Sequence, residues 1–360
     1  MSNKLIKVRT LIVGLLVAAG LLLPHAVYAQ EAEAAEGEEL DVTAMIFEHI
    51  GDSYYWHITD IGETSIAFPL PVIVYSQQSG LHCFMSSEFH HGHQAYEGLY
   101  IASEDSDYAG KIVEKNSAGE EVRPLDLSIT KNVAGLLITS ALLIWIVLGC
   151  ARWYKNKDAQ SPAPTGFVGT VEMLVAYVYN DIIKPNIPEH TARYAPYLLT
   201  AFFFIFFNNL CGLIPGSANL TGNIAVTVTL ALFTFVTTNI FGTGAYWKEI
   251  FWNVELPAWL RPIMAVIEFI GLFTKPFSLT IRLFANILAG HCALIGVLSV
   301  IFITAISLPG TGNYIMSAVS MFLGIFLDCL ELLVAFIQAF VFTMLSSIYI
   351  GLSQVKHHEE

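Results

Sequence analysis

From residue 132 onward the chain consists of long uncharged apolar segments separated by short polar connections. Asn132 to Ala151 is the first, and its twenty residues are enough for a helix to cross a hydrocarbon core of about 30 Å. No charge occurs from Ala195 to Trp247, which is long enough for two spans. PGSANLTGN at 215–223 is the expected turn between these two. Residues 167–185 have apolar positions at helical spacing and predict an interfacial amphipathic helix.

Two longer apolar segments close the chain, at about 262–308 and 314–352, and LPGTGN at 308–313 joins them. As helices, both exceed the ~20 residues that cross a membrane perpendicularly, so they must tilt steeply or break. The short loop makes them an antiparallel pair. The pattern therefore predicts an all-α polytopic membrane protein with five membrane-embedded helices, including two long tilted C-terminal helices, in a membrane domain at 131–355.

The part before residue 131 has a different pattern. Residues 1–29 have a basic start, an apolar core and a Val-Tyr-Ala end, which predict a signal peptide or, alternatively, an uncleaved membrane anchor. Residues 30–130 begin with the low-complexity EAEAAEGEE and then mix short β-like runs, PLPVIVYS and GLYIAS, with turn signals. We expect these residues to form an acidic extracytoplasmic extension that contains a small N-terminal domain.

Composition agrees with a membrane protein and separates the two parts. Of the 360 residues, 55% are hydrophobic and only 13% charged, and the mean hydropathy is +0.60. The net charge of −13 is concentrated between Glu31 and Lys131, where 19 acidic residues face four basic ones. The sequence thus predicts contact with a lipid bilayer and no nucleic-acid partner. The five cysteines are scattered and imply no disulfide framework.

The basic residues of the connections predict the orientation of the spans. Cytoplasmic loops are enriched in Lys and Arg, whereas the connections at 215–223 and 308–313 contain neither. An outside N-terminus, five spans and a cytoplasmic tail at 356–360 place the following residues inside: Arg152, Lys155, Lys157, Lys184, Arg193, Lys248, Arg261 and Lys356.

The last two apolar segments contain nearly all the polar residues of the predicted membrane domain. An ionised group at the bilayer centre costs roughly 2.5–3.5 kcal/mol on insertion scales, so such residues are functional candidates. The first segment carries Glu268, Lys275, Arg282, Asn286 and His291, and the second carries Asp328, Glu331 and Gln338.

The spacing of these residues places several of them on one face of each helix, where they form a polar stripe. Glu268, Lys275 and Arg282 are seven apart and share one helix face, and Asn286 lies one turn beyond Arg282. Glu331 and Gln338 are also seven apart on the second helix. Two polar stripes on paired helices can line an aqueous path or face a mobile partner. His291 is nine residues from Arg282 and faces a different environment.

Simpler roles are open for several of these residues. Lys275 precedes a proline and can snorkel or mark a helix break, and Asp328 can be solvated near the outer interface. Asn286 can bond only to a neighbouring backbone. Arg282 can pair statically with Glu331, in which case the site is structural.

KPFSLTIRLFANILAG at 275–290 resembles the signature of subunit a of the F-type ATP synthase, the stator of its proton channel. ELLVAFIQAFVFTMLSSIYI at 331–350 is similar to the C-terminal helix of that family, and NNLCGLIPGSANLTGNIAVT at 208–227 to the segment before its third span. The resemblance covers roughly 125–355 and does not extend to the acidic domain.

The resemblance implies a role for each polar residue. Arg282 separates the two half-channels and faces the carboxylate of a rotating c-subunit ring, while Gln338 positions Arg282. Glu268, Asn286, His291 and Glu331 line the proton path, with Lys275 and Asp328 as secondary candidates. The implied partners are the c-ring, the peripheral-stalk b subunits and the rest of the complex in the bacterial inner membrane. No cofactor and no nucleotide chemistry on this chain are implied.

The chain departs from the pattern of the family that it resembles at the position nine after the arginine and at the position seven before the glutamine. The best-known bacterial relatives have an acid and a histidine there, whereas this chain has His291 and Glu331. Since the exchange keeps one acid and one imidazole, we expect the two side chains to pair in space.

Two other function classes stay open. A secondary cation or proton transporter also uses intramembrane Arg, Glu and His, often within inverted repeats, but no internal repeat is evident. A membrane metalloenzyme could bind zinc or copper through His90, His91 and His93, with His82 and Cys83 nearby. That block lies in the exported domain and far from the polar spans, so we expect no functional metal.

Overall fold

The computed structural model describes residues 51–61, 64–92, 94–103, 106–116, 119–155, 157, 163–214, 217–252, 257, 259–307 and 311–354. The predicted signal peptide at 1–29, the low-complexity acidic stretch after it and the predicted tail at 356–360 lie outside these residues.

The N-terminal part is a β domain, so the all-α prediction holds only for the membrane part. β1 and β2 form a hairpin, β4-β3-β8 and β5-β6-β7 are three-stranded sheets, and every pairing is antiparallel. The predicted runs PLPVIVYS and GLYIAS contain β3 and β5. The strands are β1 (Tyr55–Ile61), β2 (Thr64–Pro69), β3 (Pro71–Ser76), β4 (Gly80–Met85), β5 (Leu99–Ile101), β6 (Ile112–Lys115), β7 (Glu121–Val122) and β8 (Leu125–Asp126).

The β domain has its own small core. Alternation along β3 turns Val72 and Val74 inward, where both are fully buried with Phe89 and Leu99. Tyr54 packs in this core and its hydroxyl donates to a carboxylate oxygen of Asp126, and burial raises the pKa of this phenol. Paired in this way, the buried hydroxyl carries little desolvation cost.

The β domain is joined directly to the first long helix. The backbone N–H of Lys131 donates to the Ser53 carbonyl at 2.8 Å, and that of Asn132 donates to Asp52 Oδ1 at 3.1 Å. The Asp52 carboxylate therefore satisfies a free N–H at the start of this helix, although it lies eighty residues away in sequence.

In the described part of the chain, seven main helices follow the β domain. Four of the described helices are long and apolar enough to cross a membrane, or five if α4 and α5, which meet at a bend of 99°, count as one broken span. The helices are α1 (Lys131–Lys155), α2 (Phe167–Tyr177), α3 (Thr191–Gly212), α4 (Ile224–Ile240), α5 (Gly244–Phe251), α6 (Arg261–Ser307) and α7 (Thr311–Ser353).

The two long C-terminal segments form continuous helices, α6 and α7, and do not break. With 47 and 43 residues they are unbroken helices, and at 1.5 Å per residue each is about 65–70 Å long, twice the bilayer core. α6 passes through Pro276 without interruption, and the Thr280 hydroxyl donates to the Pro276 carbonyl at 2.9 Å. Lys275 therefore does not mark a helix break.

The bundle core is formed by α3, α6 and α7. Leu198, Phe202 and Ile205 of α3 are completely buried in one cluster that also contains Leu283 of α6 and Ala339 of α7. The predicted amphipathic helix forms α2 and continues as Val178–Ile183 and Lys184–Asn186. Protein rather than the membrane surface therefore covers much of the apolar face of this segment. Its buried residues in the same cluster are Val171, Val178, Ile182 and Ile183.

A glycine allows the end of α7 to approach this segment closely. A Cβ at Gly351 would lie 2.2 Å from the backbone oxygen of Asn186, which cannot move away as a flexible side chain can. We expect Gly351→Ala to destabilise the protein by about 1–3 kcal/mol, the usual cost of overpacking. Thermal unfolding in detergent should show this loss, whereas Gly296→Ala should be neutral because no atom lies within 4 Å of its Cβ position. Equal melting temperatures for both variants would contradict the packing.

Candidate functional site

The polar stripe of α6 runs along a partly open face of the bundle. Glu268 and Asn286 are exposed, and Lys275 and Arg282 are half-buried. In the described part of the chain, no hydrogen bond or ion pair involves the Arg282 guanidinium, and none links the Asn286 side chain to a backbone group. Among the residues that the structure describes, this permanent cation in an apolar helix thus has no hydrogen-bond or ion-pair partner.

Lys275 lies in a different setting from Arg282. Its ammonium group is 5.6 Å from the ring centroid of Tyr349 on α7, within reach of a cation–π interaction. It also lines a cavity between α4, α5, α6 and α7, beside Thr234, Thr238 and Tyr246. Lys275 therefore has a local partner in Tyr349, whereas no partner of Arg282 is found among the described residues.

His291 and Glu331 meet between α6 and α7, and the predicted pairing is confirmed. His291 Nδ1 contacts Glu331 Oε1, with the side chains 13% and 6% exposed. A Cβ at Gly290 would lie 3.3 Å from the same oxygen, so this glycine leaves room for the carboxyl group. Because Glu331 pairs with His291, the static Arg282–Glu331 pair that the sequence allowed is not formed among the described residues.

A backbone carbonyl determines the protonation of the imidazole. The Gly212 oxygen lies 3.2 Å from His291 Nε2. A carbonyl oxygen can only accept, so Nε2 carries a proton and Nδ1 shares another with the Glu331 carboxyl group. The pair can hold this proton as neutral imidazole with carboxylic acid or as imidazolium with carboxylate, which suits it to passing protons on.

Asp328 and Gln338 extend the polar stripe of α7 on either side of Glu331. Asp328 is only 7% exposed, which argues against the alternative that its carboxylate is solvated. Gln338 is 6% exposed and lies near the level of Arg282, because it is seven residues after Glu331 on α7 and Arg282 is nine residues before His291 on the antiparallel α6, and Glu331 contacts His291. In the described part of the chain, no hydrogen bond joins Gln338 to Arg282.

Sequence reasoning missed two adjacent asparagines of α3. Asn208 Oδ1 accepts from the Thr139 hydroxyl at 2.7 Å and its amide donates to the Phe204 carbonyl. Asn209 donates to the Ala335 carbonyl of α7 at 3.2 Å. The signal was present in the sequence, because two neighbouring amides in an uncharged helix need buried partners.

The histidine-rich block of the β domain does not assemble a metal site among the described residues. His82 instead contacts Glu97 through Nδ1 and lies 2.7 Å from the Ser79 hydroxyl through Nε2. The side chain of His91 and the whole of His93 lie outside the described residues.

Comparison with known proteins gives two family matches. The family described as ATP synthase A chain matches residues 135–351, which is more than half of the chain. A second family, described as a domain of unknown function (DUF8433), matches residues 45–127 and thus the β domain.

Curated relatives agree with the first match. Proteins named ATP synthase subunit a are 46% identical over 245 residues in Anaeromyxobacter dehalogenans, 42% over 244 in Chloroherpeton thalassium and 43% over 249 in Myxococcus xanthus. Each alignment covers 66% of this chain, and it spans 60%, 70% and 76% of the respective relative. The chain therefore belongs to the ATP synthase A chain family, the family of subunit a of the F-type ATP synthase.

Proposed function

We propose that this protein is the proton-translocating stator subunit of an F-type ATP synthase, and that it couples proton flow to ATP synthesis. One observation carries the proposal: Arg282 lies half-buried in an apolar helix with no hydrogen-bond or ion-pair partner among the described residues. A cation kept in a membrane without a partner costs several kcal/mol. A partner on another subunit, arriving in turn on a rotating ring, accounts for that cost.

The chemistry of Arg282 suits electrostatic separation. A ring carboxylate that faces lipid must be neutral, since desolvation raises its pKa, and a fixed cation favours its ionised form. Arginine does not lose its proton in a protein. Each carboxyl group that reaches Arg282 would therefore release its proton, and Gln338 would hold the guanidinium in position.

Two half-channels bring protons to the ring and take them away. His291 and Glu331 form the relay on one side of Arg282, with Asp328 behind them. Glu268 and Asn286, both exposed on α6, line the stripe that faces the ring. A proton that crosses 100 mV releases about 2.3 kcal/mol, so several protons are needed for each ATP.

The orientation follows from the basic residues. The signal peptide at 1–29 would export the acidic β domain to the periplasm, and the C-terminus would lie in the cytoplasm of a bacterium with the protein in its inner membrane. Steeply tilted α6 and α7 would wrap the curved surface of the c-ring, and peripheral-stalk b subunits would hold the protein still.

The proposal predicts which protein accompanies this chain. Mild detergent extraction followed by affinity purification on a C-terminal tag is expected to recover a small hairpin proteolipid with one intramembrane carboxylate. In a cysteine-free background, Ile281→Cys, which is exposed beside Arg282, should form a disulfide with a cysteine scanned along that proteolipid, whereas Leu283→Cys, buried on the opposite side, should not. A chain that purifies alone and transports protons in liposomes would be a secondary transporter instead.

A further inference from the structure

The outer face of the sheet β4-β3-β8 is apolar and exposed. Alternation along β3 buries Val72 and Val74 in the core of the β domain and turns Tyr75 to the opposite face. On that face Tyr75 lies between its cross-strand partners Leu81 of β4 and Leu125 of β8. The exposed members of this surface, which we call the apolar sheet face, are Tyr75, Leu81, Cys83, Met85, Leu125 and Leu127.

The apolar sheet face is continuous and carries no charge. Single exposed apolar side chains are common on soluble proteins, but a contiguous patch marks a contact with a protein or a membrane. Of its six side chains, only the Tyr75 hydroxyl and the Cys83 thiol can donate a hydrogen bond. The face also belongs to the acidic part of the chain, where 19 acidic residues face four basic ones between Glu31 and Lys131. An uncharged surface in this part of the chain therefore needs an apolar occupant.

The apolar sheet face is fixed beside the first long helix. The backbone N–H of Leu127 donates to the Ile73 carbonyl at 2.9 Å, and that of Ile129 donates to the Pro71 carbonyl at 3.0 Å. The edge strand therefore continues beyond β8 along β3 and ends two residues before Lys131, where α1 begins. Since the chain is bonded along this whole stretch, no free linker separates the face from α1.

The position of α1 brings the face to the surface of the bilayer. Counted back from Arg152, ~20 residues of α1 cross the hydrocarbon core and reach Asn132. At about 3.3 Å per residue, Leu125 is no more than about 25 Å along the chain from Asn132. The exposed side chains of Val133 and Leu137 continue an apolar surface from this point into the candidate span. The face thus adjoins a surface that itself faces lipid.

The composition of the face fits lipid better than a protein partner. A specific protein interface adds hydrogen bonds at a polar rim to its apolar centre, whereas a bilayer surface needs only apolar side chains at the right depth. Tyrosine is enriched where membrane and water meet. We propose that the apolar sheet face rests on the outer surface of the bilayer and anchors the β domain beside α1. The acidic surroundings favour zwitterionic over anionic headgroups. The inference uses no part of the proton path and can be tested apart from it.

Fluorescence quenching at the native Cys83 tests the contact in the full-length chain. Cys150, Cys211, Cys292 and Cys329 are replaced by alanine, Cys83 is labelled with a fluorophore that responds to polarity, and the protein is reconstituted in phosphatidylcholine vesicles. We expect a blue-shifted emission, quenching by a phosphatidylcholine with a nitroxide on its upper acyl chain, and loss of quenching by aqueous iodide. The control is Tyr108→Cys without Cys83, because Tyr108 is exposed between β5 and β6 on the other three-stranded sheet. The same label there should be quenched by iodide and not by the lipid.

Removing apolar side chains from the face tests what makes the contact. Leu81→Ser combined with Leu125→Ser should lower lipid quenching at Cys83 and restore its access to iodide. Because Leu81 and Leu125 are 68% and 60% exposed, the β domain should still fold, and an unchanged melting temperature checks this. Val122→Ser is the matched control, since Val122 is an exposed apolar residue of β7, outside the apolar sheet face. It should leave the quenching at Cys83 unchanged.

Three results would overturn the proposal. Access of iodide to Cys83 without lipid quenching would mean that the face is in water. Protection from both quenchers would mean that protein covers it: another subunit if the protection appears only in the assembled complex, and a segment of this chain if the isolated chain shows it as well. Lipid quenching that appears only with phosphatidylglycerol and disappears in high salt would indicate a contact made by charges and not by apolar side chains.

Discussion

Arg282→Ala is expected to abolish ATP-driven proton pumping by inverted membranes while the complex remains assembled. The ring carboxylates would no longer meet a fixed positive charge, so nothing would favour their ionised form at the point of transfer. Loss of one preorganised electrostatic group of this kind lowers rates by on the order of 10²–10³-fold. Assembly should persist, because Arg282 has no hydrogen bond or ion pair within the described chain whose loss could destabilise it.

Two matched variants sharpen this test. Arg282→Lys keeps a charge, but an ammonium group can lose its proton when desolvated and lacks the planar guanidinium, so it should restore little pumping. Arg193→Ala removes an exposed arginine that packs over Phe241, with its guanidinium 4.7 Å from the ring centroid, and should pump normally. Normal pumping by Arg282→Ala would show that Arg282 is structural, and the proposed mechanism would be wrong.

Loss of the His291–Glu331 contact is the second large expected effect. Glu331→Leu is expected to slow proton conduction about 10²-fold, the usual contribution of a positioned proton donor or acceptor. The remaining His291 still has its Nε2 proton directed at the Gly212 carbonyl, so it cannot relay a proton through Nδ1 alone. Passive conduction and ATP-driven pumping, both normalised to assembled complex, measure the loss.

Exchanging His291 and Glu331 tests whether conduction needs an acid–imidazole pair or needs each residue at its own position. His291→Glu alone places two carboxyl groups together and should fail, because one of them stays neutral. His291→Glu combined with Glu331→His restores one acid and one imidazole and should recover a large part of conduction. Recovery should be incomplete, since a carboxylate at 291 would face the Gly212 carbonyl oxygen and could bond to it only when protonated. A double variant as inactive as the single ones would mean that the two side chains do not act as a pair.

Much of the architecture was readable from the sequence because lipid imposes simple rules. Uncharged segments of sufficient length must form helices in a bilayer, which led to the positions of α1, α3, α4, α6 and α7. The number of spans is four or five, depending on whether α4 and α5 count as one broken span. The two helices meet at a bend of 99°, and charged residues occur again from α5 onward. The short β strands were recognisable as alternating runs, but their pairing into three sheets joins residues up to about fifty apart, as Tyr75 with Leu125, and alternation does not specify partners.

The sequence by itself determined which polar residues lie within the predicted membrane domain and which share a helix face, because helical periodicity is a local property. It also allowed the His291–Glu331 pair to be expected, through an exchange of acid and imidazole. Only the tertiary structure decided what these residues touch. The Gly212 carbonyl that orients His291 belongs to a backbone 79 residues away, and a glycine carries no polar side chain to reveal it. Likewise, Asn209, Asn219 and Thr221 are buried because distant segments pack around them, and one polar atom of each has no hydrogen-bond partner among the described residues. Burial and unpaired hydrogen-bonding capacity arise from the packing of distant segments, so no local pattern encodes them.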